Sequence, residues 1–257
     1  MRDINKAIKE HLEAVLEEGY NESQILGVFL YGSQNYGTNT SSSDVDTKCI
    51  LVPTLEDLCL RRPVSKEIHL ENGEHCEVKD IREIIANFRK QNINFLEILY
   101  TPYFWINPMY EKVWFDCLIN NREFISHYDM NRALQSICGQ AIHTLKQDKT
   151  NGKKVSNGLR LYWFLKEYLD GNDYNKCIYL DEDRRKILKD LKNKSEIKDT
   201  KRVDELISIF ETFRTLIVNY IGDKTSDEVD KIMNDAILVA VRTLVEKRVW
   251  KNRSDLI

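Results

Sequence analysis

The chain has 257 residues, of which 42% are hydrophobic and 31% are charged, so it carries enough apolar side chains for a folded core. Glycine and proline together make up about 5% of the residues, against about 12% in an average protein, which favours helices over an all-β sandwich. A net charge of −3 provides no overall positive field to attract nucleic acid, although it does not exclude a local basic groove.

The amino-terminal segment, the apolar runs and the cysteines indicate the cellular compartment. Residues 1–20 are charged throughout and lack the apolar centre of a signal peptide. The densest late apolar run, residues 236–241, is far shorter than the roughly 18 residues that cross a bilayer. The six cysteines are scattered, which is typical of reduced thiols. The sequence therefore predicts a cytoplasmic protein that has no membrane as a partner.

The first hundred residues alternate between helical and strand-like patterns. Apolar residues recur at helical spacing over 3–18, and short apolar runs at 25–31 and 45–52 predict buried strands. Thr54 follows as a helix cap. The pair Asn72-Gly73 then predicts a hairpin. A further amphipathic pattern over about 80–90 predicts a helix.

The remainder of the chain changes to helical periodicity, with no convincing strand after residue 105. Gly152 and the pair Gly171-Asn172 are interpreted as helix stops. We therefore expect an α+β protein, in which a small mixed-sheet domain over residues 1–105 precedes an all-α helical domain over 106–257. The helices predicted in this second half lie at 132–147, 155–169, 182–193, 200–221 and 226–248.

A loop containing glycine and serine follows the first predicted strand. Gly32-Ser33 ends that strand, and Tyr36 and Gly37 continue the loop. Backbone N–H groups that no side chain shields suit phosphate oxygens, and so does the Ser33 hydroxyl. An ordinary tight turn is the alternative interpretation of the Gly-Ser pair.

Acidic residues near the predicted strands are spaced to hold a cation. Asp44 and Asp46 would share one face of the second strand, where two carboxylates repel each other unless a cation neutralises them. Mg²⁺ typically takes one or two carboxylates together with phosphate oxygens. Glu77 adds a third carboxylate if its strand pairs beside that of Asp46; otherwise these are solvent-facing acids. Asp80 is the rival for the third position, but it fits a helix N-cap better.

Other phosphate and metal motifs fail at specific positions. Gly32 and Gly37 have the spacing of a P-loop, but residues 38–39 are Thr-Asn instead of Lys-Ser or Lys-Thr. An EF-hand beginning at Asp44 would place Leu55 where the last acidic ligand is needed. The sequence also lacks a Gly-x-Gly-x-x-Gly fingerprint, so the acids and the Gly-Ser loop must be interpreted together.

Together these residues resemble the DNA polymerase β-like nucleotidyltransferase superfamily. The order Gly32-Ser33-x-x-Tyr36-Gly37-Thr38, then Ser43-Asp44-x-Asp46, then a later strand acid is similar to a bacterial and phage branch of predicted nucleotidyltransferases. The run at 95–99 and the segment 153–161 look like the helical half of that branch. The resemblance covers residues 20–100 well and the rest of the chain more faintly.

The resemblance implies a Mg²⁺-dependent enzyme that moves a nucleoside monophosphate from a nucleoside triphosphate to an acceptor hydroxyl. Residues 1–105 would be its catalytic domain. Asp44, Asp46 and Glu77 would be catalytic and would hold two Mg²⁺ ions, for which Mn²⁺ is a substitute. The residues expected to contact the nucleotide are Gly32, Ser33, Tyr36, Ser43, Lys153 and Arg160.

Several parts of this hypothesis keep alternatives. Lys153 and Arg160 are seven residues apart and so share one helical face, which would otherwise be a solvated charged face. Tyr36 either packs under the loop or contacts the nucleotide. The acceptor is a protein, an RNA or a small molecule, and the net charge argues mildly against a large RNA. The alternative to an enzyme is a catalytically silent nucleotide-binding regulator, or an antitoxin-like partner, with the same fold.

Overall fold

The computed structural model describes residues 2–219 and 224–254, and within them a mixed sheet precedes most of the helices. Helix α1 (Ile4–Glu17) comes first and is capped by Asp3, whose side chain accepts the N–H of Lys6. The strands that follow form one sheet in the order β3-β4-β2-β1-β5. Their bounds are β1 (Ile25–Tyr31), β2 (Asp46–Leu51), β3 (Ser65–His69), β4 (His75–Asp80) and β5 (Phe104–Ile106).

The strand pairing determines which side chains meet at the end of the sheet. β1 and β2 are antiparallel, with Tyr31 opposite Asp46. β2 and β4 are parallel, with Asp46 opposite His75 and Lys48 opposite Glu77. The end of β1 and the starts of β2 and β4 therefore lie side by side at one edge.

Helices make up most of the chain after the sheet, so the fold class is α+β, as the sequence predicts. No helix within the described residues is both long enough and apolar enough to cross a bilayer. The remaining α-helices are α2 (Leu55–Cys59), α3 (Ile81–Arg89), α4 (Ile93–Leu96), α5 (Arg122–Ser126), α6 (Met130–Gln147), α7 (Gly152–Leu169), α8 (Tyr174–Ile178), α9 (Glu182–Lys192), α10 (Thr200–Phe213) and α11 (Ser226–Ser254), and a π-helix spans Lys112–Leu118.

One cluster of buried side chains joins the sheet to the helices. Phe29 of β1 packs against Trp114, with ring centroids 4.1 Å apart, and the same cluster extends to Leu244 of α11. A second cluster packs Val15 of α1 against Val28 on the opposite face of the sheet. The domain boundary predicted after residue 105 falls inside β5, and the first cluster continues across it.

The chain differs from the sequence-based elements at β5 and at the end of α10. β5 was not predicted, because three residues are too few to show a periodic pattern; it pairs with β1 at Gly27 and Ile106. The helix predicted over 200–221 ends at Phe213. The following segment is held by Asn131, whose side chain bonds both backbone groups of Val218. Residues 220 and 221 lie outside the described part of the chain.

Gly152 begins α7 and does not stop a helix, which corrects the sequence interpretation. Asn151 caps α7 by accepting the N–H of Lys154. A Cβ atom at Gly152 would lie 2.8 Å from the carbonyl oxygen of Lys194 and nearer still to that of Leu191. Glycine at this position therefore allows the carboxyl end of α9 to approach α7. The stop predicted at Gly171 is confirmed, since Gly171 follows α7 with a φ of +76°.

The substitution Gly152→Ala is expected to lower the free energy of unfolding by about 1–3 kcal/mol, because the opposing atoms are backbone carbonyls that cannot turn aside. Gly139→Ala in α6 is the matched control, since a Cβ there would meet no atom within 4 Å. That control should be neutral or stabilising by up to about 1 kcal/mol. Urea unfolding of both variants measures the difference, and equal stabilities would contradict the close approach of α9.

Candidate active site

A cleft of about 280 Å³ opens between the loop after β1, the start of β2 and the helices α7 and α9. The carboxyl groups come from the amino-terminal half, and the amino and guanidinium groups come from α7 and α9. The lining residues include Ser33, Tyr36, Ser43, Asp44, Asp46, Lys153, Asn157, Arg160 and Lys192. Most of the residues predicted to contact a nucleotide are thus brought together, whereas Gly32 and Glu77 do not line the cleft.

The loop after β1 is held from behind by a buried carboxyl group. Gly32 adopts a φ of +79°, a conformation that favours glycine, and its N–H donates to Oε1 of Glu97 at 3.2 Å. The N–H of Thr38 donates to the carbonyl of Ser33 at 3.0 Å, which closes the loop. The backbone N–H of Gly32 therefore faces the interior, contrary to the expectation that it grips a phosphate.

Glu97 itself is 2% exposed, immediately after α4. Burial raises the pKa of this carboxyl group to about 7, although the positive charge of Arg160 acts in the opposite direction. The charge on the group that holds the loop therefore changes near neutral pH.

Glu97→Gln is expected to remove a pH dependence of stability. Because the folded protein holds the proton of Glu97 more tightly than the unfolded chain, whose pKa is near 4.5, the wild type loses stability as the pH rises from about 4.5 through 7. The loss from this group is up to about 3 kcal/mol, and glutamine, which stays neutral, does not incur it. Urea unfolding of both proteins at pH 5 and pH 8 measures it; a difference between the proteins that does not change with pH would contradict this role.

Arg160 of α7 lies against the same loop. Its guanidinium carbon lies 4.4 Å from the centroid of the Tyr36 ring, and its Nε and Nη2 donate to Oδ1 of Asn157 at 3.3 and 3.2 Å. Arg160 is 5% exposed and Tyr36 is 8% exposed. Tyr36 therefore packs beneath the arginine. Lys153 is exposed and also lines the cleft, on the same face of α7 as Arg160, as the seven-residue spacing predicts.

Asp44 and Asp46 both line the cleft. Asp44 is exposed ahead of β2, and Asp46 is the first residue of that strand and is partly buried. Burial raises the pKa of Asp46, and the negative charge of Asp44 raises it further, whereas His75 and Lys153 lower it. Oδ1 of Asp46 is buried and accepts no hydrogen bond from any residue that the structure describes. A buried carboxylate oxygen that accepts no hydrogen bond is suited to bind a cation.

Glu77 does not lie beside Asp44 and Asp46. The register of β2 and β4 sets it opposite Lys48, whose Nζ contacts the Glu77 carboxylate, and Lys79 lies 3.4 Å from the other carboxylate oxygen. Lys48 is 1% exposed, and its ammonium lies 3.9 Å from the ring centroid of Tyr31 and 4.1 Å from that of Phe95. In the part of the chain that the structure describes, no group of three or more His, Cys, Asp or Glu side chains is placed to hold a metal. The expected triad is not assembled, because Glu77 is the counter-ion of Lys48.

Lys192, at the end of α9, is the cleft residue that the sequence did not reveal. Its Nζ donates to Oγ of Ser43 at 2.7 Å and to Oγ of Ser33 at 3.3 Å. Burial lowers the pKa of Lys192, and the charge of Lys153 lowers it further. Nothing in the sequence distinguishes Lys192 from Lys189 on the same helix, so only the packing of α9 against the loop selects it.

Comparison with known proteins adds little to this description. No protein-family model matches the chain, and no curated protein sequence matches it. Among solved structures, the chain is similar to a nucleotidyltransferase-like protein from Exiguobacterium sibiricum 255-15, at 9% identity and a TM-score of 0.33. The match covers 93% of this chain and 75% of that chain. At this identity and TM-score, the likeness says nothing about a substrate or a mechanism.

Proposed function

We propose that this protein transfers a nucleoside monophosphate from a nucleoside triphosphate to an acceptor hydroxyl, with Mg²⁺ as its cofactor. One observation carries the proposal: Asp44 and Asp46 face Lys153, Arg160 and Lys192 around a single cleft. A metal-bound triphosphate needs both kinds of group, because carboxylates bind the cation and the basic side chains bind the phosphate oxygens. A site for a simple anion would not place two acids beside it.

The side chains of the cleft have separate roles in this proposal. The hydroxyls of Ser33 and Ser43 now accept from Lys192, and all three groups can turn to phosphate oxygens when a triphosphate enters. Mg²⁺ held by Asp44 and Asp46 would supply positive charge where the phosphates become more negative during transfer. The acceptor hydroxyl forms a bond from its oxygen to the α-phosphorus and loses its proton to water, and pyrophosphate leaves with the electrons of the P–O bond that breaks.

Transfer can be tested without knowledge of the acceptor. The purified protein is incubated with Mg²⁺, a cell extract and each α-labelled nucleoside triphosphate in turn, and the release of pyrophosphate is measured in parallel. We expect label in one class of product, which digestion with protease or nuclease identifies as protein, RNA or small molecule. If no nucleotide yields either labelled product or pyrophosphate, the proposal is wrong.

A catalytically silent nucleotide-binding regulator is the second candidate, and the Lys48–Glu77 pair favours it because that pair withdraws a carboxylate from the cleft. Calorimetry with each nucleoside triphosphate, with and without Mg²⁺, separates the two candidates when it is combined with the pyrophosphate measurement. Binding without pyrophosphate release supports the regulator, whereas Mg²⁺-dependent binding with release supports the transferase.

A further inference from the structure

His75 lies where a third metal ligand would stand. The parallel register of β2 and β4 pairs Asp46 with His75, and Glu77 is paired with Lys48 two residues farther along the strands. Side chains that are paired in register lie on the same face of a sheet. His75 is therefore the β4 side chain beside Asp46.

The side chains of His75 and Asp46 are in direct contact. Nδ1 of His75 lies 2.9 Å from Oδ1 of Asp46, which is an ion pair when the imidazole is protonated. The contact does not have the geometry of a hydrogen bond, and Oδ1 accepts none from the other described residues. Two neighbouring ligands of an octahedral divalent ion, each about 2.1 Å from it, stand about 3 Å apart. The nitrogen and the oxygen thus have the separation of two adjacent ligands of one ion.

Tyr31 orients the imidazole ring from its other side. The Tyr31 hydroxyl lies 3.0 Å from Nε2 of His75, and the two rings meet edge to face. When Nε2 carries the hydrogen and donates it to Tyr31, the lone pair is left on Nδ1, facing Asp46. Histidines that bind metals typically hold their second ring nitrogen in this way.

We propose that Nδ1 of His75 and Oδ1 of Asp46 bind the same divalent ion, and that the imidazole shifts the preference of the site from Mg²⁺ towards Mn²⁺. Mg²⁺ takes oxygen ligands, whereas ions of the transition series accept imidazole nitrogen. The inference rests on the proposed function for the remaining ligands, which are Asp44, triphosphate oxygens and water.

The test is the electron spin echo spectrum of Mn²⁺ bound to the full chain together with α,β-methylene-ATP. This nucleotide cannot be cleaved between its α- and β-phosphates. We expect a nitrogen coupling that changes when the protein carries ¹⁵N-labelled histidine. His75→Gln should lose the coupling, and Tyr31→Phe should weaken Mn²⁺ binding by about tenfold because the ring is no longer held. His69→Gln is the matched control, since His69 is an exposed histidine on the same hairpin, and it should keep the coupling. Circular dichroism confirms that each variant is folded.

Metal preference gives a second readout. The ratio of Mn²⁺ to Mg²⁺ affinity should fall by about tenfold or more in His75→Asp, which replaces nitrogen by oxygen. Mn²⁺ that fails to bind, Mn²⁺ that binds without histidine coupling, or an unchanged ratio would each overturn the inference. The label-transfer assay is scored separately: coupling without transfer supports the inference and contradicts the proposed function, and transfer without coupling does the opposite.

Discussion

Asp46→Asn is expected to lower the rate of nucleotide transfer by about 10³-fold or more, which corresponds to about 4 kcal/mol of lost transition-state stabilisation. The substitution keeps the shape of the side chain but removes the charge that we propose holds the cation. It also leaves Lys153 and Lys192 without that carboxylate opposite them. Pyrophosphate release at saturating nucleotide and metal measures the effect.

The stability of the same variant should not fall. Burial and the charge of Asp44 both raise the pKa of Asp46, so the ionised carboxylate is unfavourable in the folded protein when no cation is bound. Asparagine relieves that cost, and the melting temperature should be equal to or above that of the wild type. Such a gain of stability with a loss of activity is typical of a functional residue.

Glu77→Gln provides the matched control and should give the opposite profile. Because Lys48 is 1% exposed and has Glu77 as its partner, the neutral substitution leaves a buried ammonium without its counter-ion. We expect this variant to be less stable than the wild type. The transfer rate of its folded protein should fall far less than that of Asp46→Asn. Equal losses of activity in the two variants would instead indicate that Glu77 belongs to the metal site that the sequence predicts.

Local signals explain why much of the fold could be predicted. Thr54 and Asp57 form a reciprocal capping box at the start of α2, which the four residues 54–57 specify. The turn between β3 and β4 uses Gly73 with a φ of +86°, as the Asn-Gly pair predicts. Lys153 and Arg160 reach the cleft because a seven-residue spacing keeps them on one face of α7.

The choice between Glu77 and His75 depended on long-range pairing and could not be made from the sequence. Both side chains lie on one face of β4, so the alternation of the strand is equally consistent with either residue lying beside Asp46. Only the register between β2 and β4 decides which one is there. Lys192 is another long-range case, since it meets Ser43 across 149 positions of the chain.

Arg160→Leu is expected to lower the free energy of unfolding by about 1.5–3 kcal/mol, the range for losing a hydrogen bond to a charged group. The guanidinium packs on Tyr36, donates to Asn157 and attracts the buried carboxyl of Glu97. Leucine keeps an apolar contact with the ring but removes the positive charge that favours the ionised form of Glu97. Arg184→Leu is the control, because the Arg184 side chain is 35% exposed and its ion pairs should contribute less than about 1 kcal/mol.

The pH dependence and a double variant identify the source of this loss. Removing Arg160 raises the pKa of Glu97 further, so the destabilisation should be larger at pH 8, where the carboxyl group must ionise, than at pH 5, where it holds its proton. Glu97→Gln in the Arg160→Leu background should recover part of the stability at pH 8, because no buried charge is then left alone. A loss that is the same at both pH values, or no recovery in the double variant, would mean that Arg160 stabilises the loop through its contacts with Tyr36 and Asn157 and not through Glu97.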